Sequence, residues 1–255
     1  MDLYDDMDIS AWQQILCKGM HYHCGDFSKF DDHRAFEEPV RRIYPYIGMS
    51  KTILDVGCGW GGPAVMLRTD CNAIVTCVTP SVQQTQYCKD LGFTVHHSSI
   101  EDLLKGGSLS DQHWDIVLCF ESFTHLDQEY FLEKIKPHCD TLIMLVNCSD
   151  RAHYSKSFQM TIRTAEGLRA LLTKTGWTVQ VFENTRKDNL SNYYWDTNIK
   201  THGIHNSNSK HLQALNNHNR VSMARGQQWV SLNPVMLVVA HHSHSFGTKP
   251  EDSKA

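Results

Sequence analysis

A glycine-rich turn that directly follows an apolar run is the feature that most limits which fold this chain can adopt. The stretch "ILDVGCGWGGPAV" at residues 53–65 places Gly57, Gly59 and Gly62 at the G-x-G-x-x-G spacing, with a fourth glycine at position 61. Glycine lets the backbone turn at positive φ and approach a ligand closely. The spacing predicts a strand–turn–helix unit that holds a nucleoside-bearing cofactor, and alone it fits a nicotinamide dinucleotide as well as any other.

Strand-like and helical patterns alternate from residue 51 onward. The runs "TILDVG", "AIVTCVT", "FTVHH", "WDIVLCF", "DTLIMLVN" and "WTVQVFE" predict strands, and helices are expected at 60–69, 81–91, 127–136 and 164–175. This alternation predicts an α/β fold: a Rossmann-like, seven-stranded, mostly parallel sheet with helices on both faces. The final run, "PVMLVVA", follows no crossover pattern, so we expect the last strand to be antiparallel.

Two segments fall outside this alternation. Residues 1–50 carry helical spacing at 8–19 and 33–46, and residues 185–232 form an irregular polar insertion. Ligands of open α/β sheets bind beyond the carboxyl ends of the strands, where added segments can cover them. We therefore expect an N-terminal helical cap at 1–50 and a cofactor-binding domain at 51–241 with a lid at 185–232. The tail 242–255 is expected to be disordered.

Composition excludes several function classes. The chain has 255 residues and a net charge of −4, without a basic run, so nucleic acid is not an expected partner. No apolar stretch approaches the roughly 18 residues of a membrane span. The acidic N-terminus lacks a signal-peptide core, and nine cysteines stand without a C-x-x-C pair, which favours a cytoplasmic location. A monomer or homodimer is expected.

The residues around the glycine turn resemble a known family. "LDVGCGWGG" is similar to the first motif of class I S-adenosylmethionine (SAM)-dependent methyltransferases, and the resemblance runs from about residue 50 to 185. It implies that Gly57, Cys58 and Gly59 lie against the amino-acid part of SAM, and that Asp55 is linked to it. The product would be S-adenosylhomocysteine (SAH). Cys58 is interpreted as a small residue that fits the turn.

The second strand departs from the usual pattern of that family. An acid normally binds the ribose at the position of Thr79, and "VTPSVQQ" instead resembles the cyclopropane-fatty-acid synthase, tocopherol and sarcosine/phosphoethanolamine branches. A Thr hydroxyl and a Gln amide can still hydrogen-bond a diol. The resemblance implies a further set of cofactor-binding residues: Thr79, Pro80, Gln84, Ser99, Ile100, Glu101 and Phe120. Ser99 to Asp102 also fits a helix N-cap, and both interpretations can hold together.

Two clusters are candidates for chemistry. "MHYHCGDF" at 20–27 resembles a segment that covers SAM in these branches, with Tyr22 and His23 as candidate catalytic residues; the alternative is a surface loop. "FESFTHL" at 120–126 resembles their E-S-x-x-H string, so Glu121 and His125 are candidates to polarise or deprotonate an acceptor. Alternatively, Glu121 orders the lid and His125 begins the next helix.

Aromatic residues of the insertion form a third candidate group. Tyr193, Tyr194 and Trp195 could line the acceptor site, although they fit the core of a lid helix at least as well. The histidine pairs are His21/His23, His96/His97 and His202/His205, and none belongs to a metal-binding frame, so no metal is expected.

The sequence therefore predicts a SAM-dependent methyltransferase that modifies an N or O atom of a small molecule: an amine, an amino acid or a natural-product intermediate. C-methylation of a ring or alkene is an alternative. Two other classes stay open. An NAD(P)-dependent oxidoreductase should carry an acid or Arg near residue 79, where none stands. A non-catalytic binding protein of the same fold should have lost Asp55 or the glycines, and both are intact.

Overall fold

The central element is one seven-stranded sheet. In this computed structural model the described residues are 3–16, 18–204 and 208–242. The strands of this sheet are β1 (Thr52–Val56), β2 (Ile74–Thr79), β3 (Thr94–His97), β4 (Trp114–Phe120), β5 (Cys139–Asn147), β8 (Trp177–Asn184) and β9 (Val235–His242). Their order across the sheet is β3-β2-β1-β4-β5-β9-β8.

Strand directions confirm the predicted mixed sheet. The strands β3, β2, β1, β4 and β5 pair in parallel, whereas β9 runs antiparallel between β5 and β8. Asp55 on β1 lies opposite Cys77 of β2 and Leu118 of β4. The glycine turn therefore leaves the middle of the sheet, between two neighbouring strands.

Helices cover both faces of the sheet. The described helices are α1 (Ile9–Leu16), α2 (Glu38–Ile47), α3 (Gly62–Cys71), α4 (Val82–Asp90), α5 (Ile100–Lys105), α6 (Gln128–Lys134), α7 (Ala165–Lys174), α8 (Leu190–Thr201) and α9 (Lys210–Leu232). Side chains of β4 alternate between two apolar clusters: Val117 and Cys119 pack in one, Ile116 and Leu118 in the other. This alternation follows from the period of two along a strand that is buried on both sides.

A third apolar cluster joins the segments outside the sheet. Trp12 and Leu16 of α1 pack there with Trp60 of the glycine turn, Trp195 of α8 and Leu215 of α9. The N-terminal segment and the insertion are thus held over the glycine turn by buried aromatic contacts. No helix among the described residues has the length and apolar character needed to cross a bilayer.

The structure corrects several local expectations. Residues 185–232, expected to be irregular, contain α8 and α9, with a kink at Gly226, whose φ is 50° and ψ −126°. A small hairpin of β6 (His153–Ser155) and β7 (Met160–Ile162) was not foreseen, because three-residue strands carry no readable period. Helical spacing predicts a helix over 33–46, whereas α2 begins at Glu38 and ends at Ile47, with Pro45 inside it. The tail from residue 243 and His205 lie outside the described residues.

Candidate active site

A cavity of about 310 Å³ opens at the carboxyl ends of β1, β2 and β4. The sequence-predicted residues of the cofactor and catalytic groups all line it: Tyr22, His23, Asp55, Gly57, Cys58, Gly59, Thr79, Pro80, Gln84, Ser99, Ile100, Glu101, Phe120, Glu121 and His125. We call it the cofactor cavity. Residues separated by up to 103 positions in the chain thus come to one place.

The glycine turn needs its glycines for two different reasons. Gly57 has a φ of 72°, and a β-carbon there would lie 2.4 Å from Cβ of Ser122. Gly59 has a φ of 55° and nothing within 4 Å of where its β-carbon would be. A side chain at position 57 would therefore clash with Ser122, just after β4. At position 59 there is room for a side chain, and glycine is favoured there by the positive φ of the backbone.

Asp55 is a buried carboxyl group without a protein partner. Both of its side-chain oxygens are buried and accept no hydrogen bond, although Asp55 lines the cofactor cavity. Burial, and secondarily the neighbouring Cys88, raise the pKa of Asp55 to about 8. An unpaired buried carboxyl group is costly unless a ligand supplies a donor or a positive charge. The ammonium group of an amino-acid moiety fits this requirement.

Thr79 and Gln84 bond to one another at the end of β2. The Thr79 hydroxyl donates to Oε1 of Gln84 at 2.7 Å and accepts the backbone N–H of Ser81 at 3.3 Å. Both side chains are buried at the cavity wall. Because the amide oxygen of Gln84 is engaged, its NH₂ group is the donor that remains for a ribose hydroxyl.

The turn after β3 combines a helix cap with a cavity wall. Ser99 accepts the backbone N–H of Asp102 at 3.1 Å, which confirms the predicted N-cap of α5. Ile100 is buried at the wall, and Glu101 accepts the backbone N–H of Asp127 at 2.8 Å. Glu101 therefore ties α5 to the start of α6 beside the cavity.

A second, smaller cavity of about 140 Å³ adjoins the first. Five residues line both cavities and form the wall between them: Tyr4, Tyr22, Glu121, His125 and Phe158. Asn147, Arg186, Trp195, His218 and Trp229 belong to the second cavity alone. We call it the acceptor cavity, because it is where a small molecule would face a ligand in the first.

Glu121 holds the N-terminal loop at this wall. Its φ is 58°, an uncommon conformation for a residue other than glycine. One carboxylate oxygen accepts the backbone N–H of Cys24 at 2.7 Å, and the other accepts Nδ2 of Asn147 at 2.8 Å. Burial raises the pKa of Glu121, which these hydrogen bonds oppose. Glu121 thus orders the loop at 20–27, as the alternative interpretation expected.

The two candidate histidines are engaged differently. His23 has Nδ1 at 3.1 Å from the carbonyl oxygen of Cys24 and Nε2 at 3.2 Å from Nδ1 of His21. Nδ1 must donate to that carbonyl, so in the neutral ring Nε2 accepts from His21. His125 instead has Nε2 at 3.2 Å from the Tyr4 hydroxyl, in the wall between the cavities. Burial lowers the pKa of both histidines to about 4.

Tyr22 meets a histidine that the sequence did not single out. Its hydroxyl lies 2.8 Å from Nε2 of His211, near the start of α9. Burial raises the pKa of Tyr22 well above its usual value and lowers that of His211 to about 4. The neutral pair links the N-terminal loop to the insertion at the wall between the cavities.

Comparison with known proteins places this geometry in a family. Residues 53–140 match a family model described as a methyltransferase domain. These residues therefore carry a methyltransferase domain, and the chain as a whole shares the fold of the solved structures described next. No curated protein sequence matches it significantly.

Solved structures similar to this methyltransferase share its fold at low sequence identity. A cyclopropane synthase from Mycobacterium tuberculosis superposes with a TM-score of 0.77 at 14% identity, covering 94% of this chain and 98% of that one. Coclaurine N-methyltransferase, bound to N-methylheliamine and SAH, superposes with a TM-score of 0.74 at 15% identity, covering 92% of this chain and 79% of that one. A mycolic acid cyclopropane synthase complexed with SAH and CTAB superposes with a TM-score of 0.76 at 14% identity, covering 93% of this chain and 95% of that one.

Only one of the three aromatic residues predicted for the acceptor reaches a cavity of this methyltransferase. Trp195 is buried and lines the acceptor cavity. Tyr193 is 43% exposed and donates to the carbonyl of Met223, and Tyr194 packs on Phe36 with ring centroids 5.2 Å apart. Both lie outside the two cavities, because a helix turns consecutive side chains about 100° apart.

Several wall residues of the methyltransferase escaped sequence reasoning. Trp60 stands inside the quoted glycine motif and could have been found there; it is buried, lines the cofactor cavity and leaves its Nε1 without a partner. Tyr4 and Phe158 lie in segments without motif or periodicity, so only the tertiary fold brings them to the wall.

A cysteine cluster lies behind the glycine turn. The Sγ atoms of Cys58, Cys77 and Cys88 lie within 4.8 Å of one another, and all three residues are buried. Hydrogen bonds with Cys77 and Cys88, together with burial, raise the pKa of the Cys58 thiol well above its usual value. The three side chains pack together as small residues behind the turn.

Proposed function

We propose that this methyltransferase binds SAM in the cofactor cavity and methylates an N or O atom of a small molecule held in the acceptor cavity. The observation that carries the proposal is the pair of adjoining cavities, with the unpartnered carboxyl group of Asp55 in the first. When bound, SAM supplies an electrophilic methyl group and a neutral sulfur leaving group. C-methylation of a ring or alkene is the second candidate, because cyclopropane synthases share the fold.

The contribution of the protein is mainly to position the reactants. Gly59 leaves room for close approach, Asp55 receives the ammonium group, and Gln84 offers its NH₂ to the ribose. Alignment of this kind can supply roughly 7–11 kcal/mol of a reaction barrier. We propose residues 1–50 and 185–232 as the lids that exclude water, since they supply Tyr4, Tyr22, Trp195 and Trp229 to the cavities.

His125 is the better candidate for receiving a proton from the acceptor. Both histidines are hydrogen-bonded, His125 to the Tyr4 hydroxyl and the backbone of Gln159, and His23 to Cys24 and His21. Nε2 of His125 nevertheless lies in the wall between the two cavities, whereas the bonds of His23 lie within the N-terminal loop. A positioned base typically contributes about 10²–10⁴-fold. We assign Glu121, and with it His23, to positioning of the loop.

Two measurements test the proposal. Calorimetry should detect SAH binding and no NADH binding; the reverse result would identify an oxidoreductase. Incubation with methyl-labelled SAM and a panel of amines, amino acids, phenols and carboxylates should then transfer label to at least one class. SAH binding without any transfer would favour the non-catalytic alternative. A cytoplasmic, monomeric or dimeric enzyme remains the prediction for location and assembly.

A further inference from the structure

The acceptor cavity has the size and walls of a site for one aromatic ring. Its volume of about 140 Å³ is close to that of an engineered apolar cavity of about 150 Å³ that binds benzene. Five Phe, Tyr and Trp side chains line it: Tyr4, Tyr22, Phe158, Trp195 and Trp229. Offset or edge-to-face packing against such walls favours a planar aromatic guest over an aliphatic one.

Hydrogen-bond donors are left over at this cavity. The indole Nε1 atoms of Trp195 and Trp229 are buried without a partner. Arg186 donates Nε to the carbonyl of Asp188 at 3.3 Å and Nη1 to that of Asn233 at 3.1 Å, which leaves Nη2 as a further donor. Because a buried unpaired donor is unfavourable, the cavity favours a guest that carries an oxygen acceptor.

Attraction for a cationic amine is weak by comparison. Glu121 is the one carboxylate among the described residues that line the acceptor cavity, and both of its oxygens already accept hydrogen bonds from Cys24 and Asn147. Arg186 adds a positive charge to the same cavity. His218 is held neutral by burial and by Arg186, which together lower its pKa to about 4. The negative charge of Glu121 and the positive charge of Arg186 therefore balance, and the guanidinium group of Arg186 is the one that still has a free donor for a guest.

From these observations we propose that the acceptor is a phenol with a second oxygen substituent, methylated on its hydroxyl. This rests on the proposed function. The phenolic oxygen forms a bond to the methyl carbon as the methyl–sulfur bond breaks, and the phenolic proton goes to Nε2 of His125. The second oxygen accepts from the indole N–H groups of Trp195 and Trp229. The product is a neutral aryl methyl ether.

The test uses catechol and benzylamine as matched single-ring probes, with the protein saturated with SAH. Calorimetry should show catechol binding at least tenfold more tightly than benzylamine. Trp229→Phe keeps an aromatic ring and removes one N–H donor, so catechol affinity should fall about five- to tenfold while SAH affinity is unchanged. The control is Trp177→Phe, which removes the indole N–H bond to Leu132 outside both cavities and should leave catechol affinity unchanged.

Turnover provides the second readout. With methyl-labelled SAM, catechol should yield a labelled methyl ether and benzylamine should yield no labelled product. Label on benzylamine alone, or equal affinity of the two probes, would overturn the aromatic-oxygen assignment and leave the proposed methyl transfer standing. Loss of SAH binding itself would instead contradict the proposed function. An unchanged catechol affinity in both Trp229→Phe and Trp195→Phe would also overturn the assignment.

Discussion

Asp55 should give cofactor binding a measurable proton signature. Its pKa of about 8 means that, before a ligand binds, roughly nine in ten molecules carry the protonated carboxyl group at pH 7. A bound ammonium group favours the charged carboxylate. At pH 7, where the amino group of SAH is an ammonium ion, SAH binding should therefore release about 0.9 proton per protein molecule. The affinity for SAH should rise about tenfold from pH 6 to pH 7.

The assay is titration calorimetry of SAH in two buffers that differ in ionisation enthalpy. The slope of the observed enthalpy against the buffer enthalpy gives the number of protons released. His23 and His125 should contribute little at pH 7, because burial lowers the pKa of both to about 4 and their rings are already neutral. The two histidines are thus excluded as the source of the protons.

Two variants decide the interpretation. Asp55→Asn cannot titrate, so proton release should fall to near zero and the pH dependence of affinity should flatten. Asp115→Asn is the control: this sheet aspartate bonds Lys51 and Thr52, and those contacts lower its pKa, so it is ionised throughout the range. Release below about 0.3 proton in the unmodified protein, or release unchanged in Asp55→Asn, would refute the reasoning.

Three other predictions concern residues in or beside the cofactor cavity. Asp5 accepts hydrogen bonds from Ser81 Oγ and from the first backbone N–H groups of α4, so Asp5→Asn should speed SAH release in stopped flow about five- to thirtyfold. The control Asp8→Asn, at the start of α1, should not change the release rate. Equal release rates in the two variants would contradict this prediction. Gly59→Val should abolish SAH binding in calorimetry while circular dichroism stays native, and retained affinity would remove Gly59 from the site. Glu121→Gln should keep SAH affinity within about threefold and lower turnover about ten- to hundredfold; full turnover would show that the loop needs no carboxylate.

The sequence was sufficient for the sheet and for the cofactor cavity because both depend on local signals. Strand periodicity and the glycine turn specify where β1 ends. Thr79, Ser99 and Glu121 each lie at or just after the carboxyl end of a recognisable strand. Because these strands are parallel, their carboxyl ends meet at one edge of the sheet. The cap at Ser99 was predicted for the same reason, since it lies within four residues of its partner.

The acceptor cavity could not be predicted in this way. Tyr4, Phe158 and His218 line it from three segments that share no motif, and their positions depend on how the N-terminal segment and α9 pack. The aromatic run at 193–195 shows the limit clearly: three similar side chains occupy one helix turn, yet only Trp195 lines the cavity, while Tyr194 packs on Phe36 and Tyr193 is exposed. Composition identifies such a run, whereas the face that is buried depends on tertiary packing.

The contacts of Asp5 and Asp6 have a kinetic consequence. Asp5 binds the N-terminus of α4 beside the cofactor cavity, while the adjacent Asp6 accepts Ser209 Oγ at 2.7 Å and the backbone N–H of His211 at 3.1 Å at the start of α9. One short segment therefore fastens the cofactor side and the acceptor side together. Neither side can open by a separate movement of this segment, so both products should depart after a common opening step. Turnover should then show a single slow conformational rate shared by the release of the methylated product and of SAH.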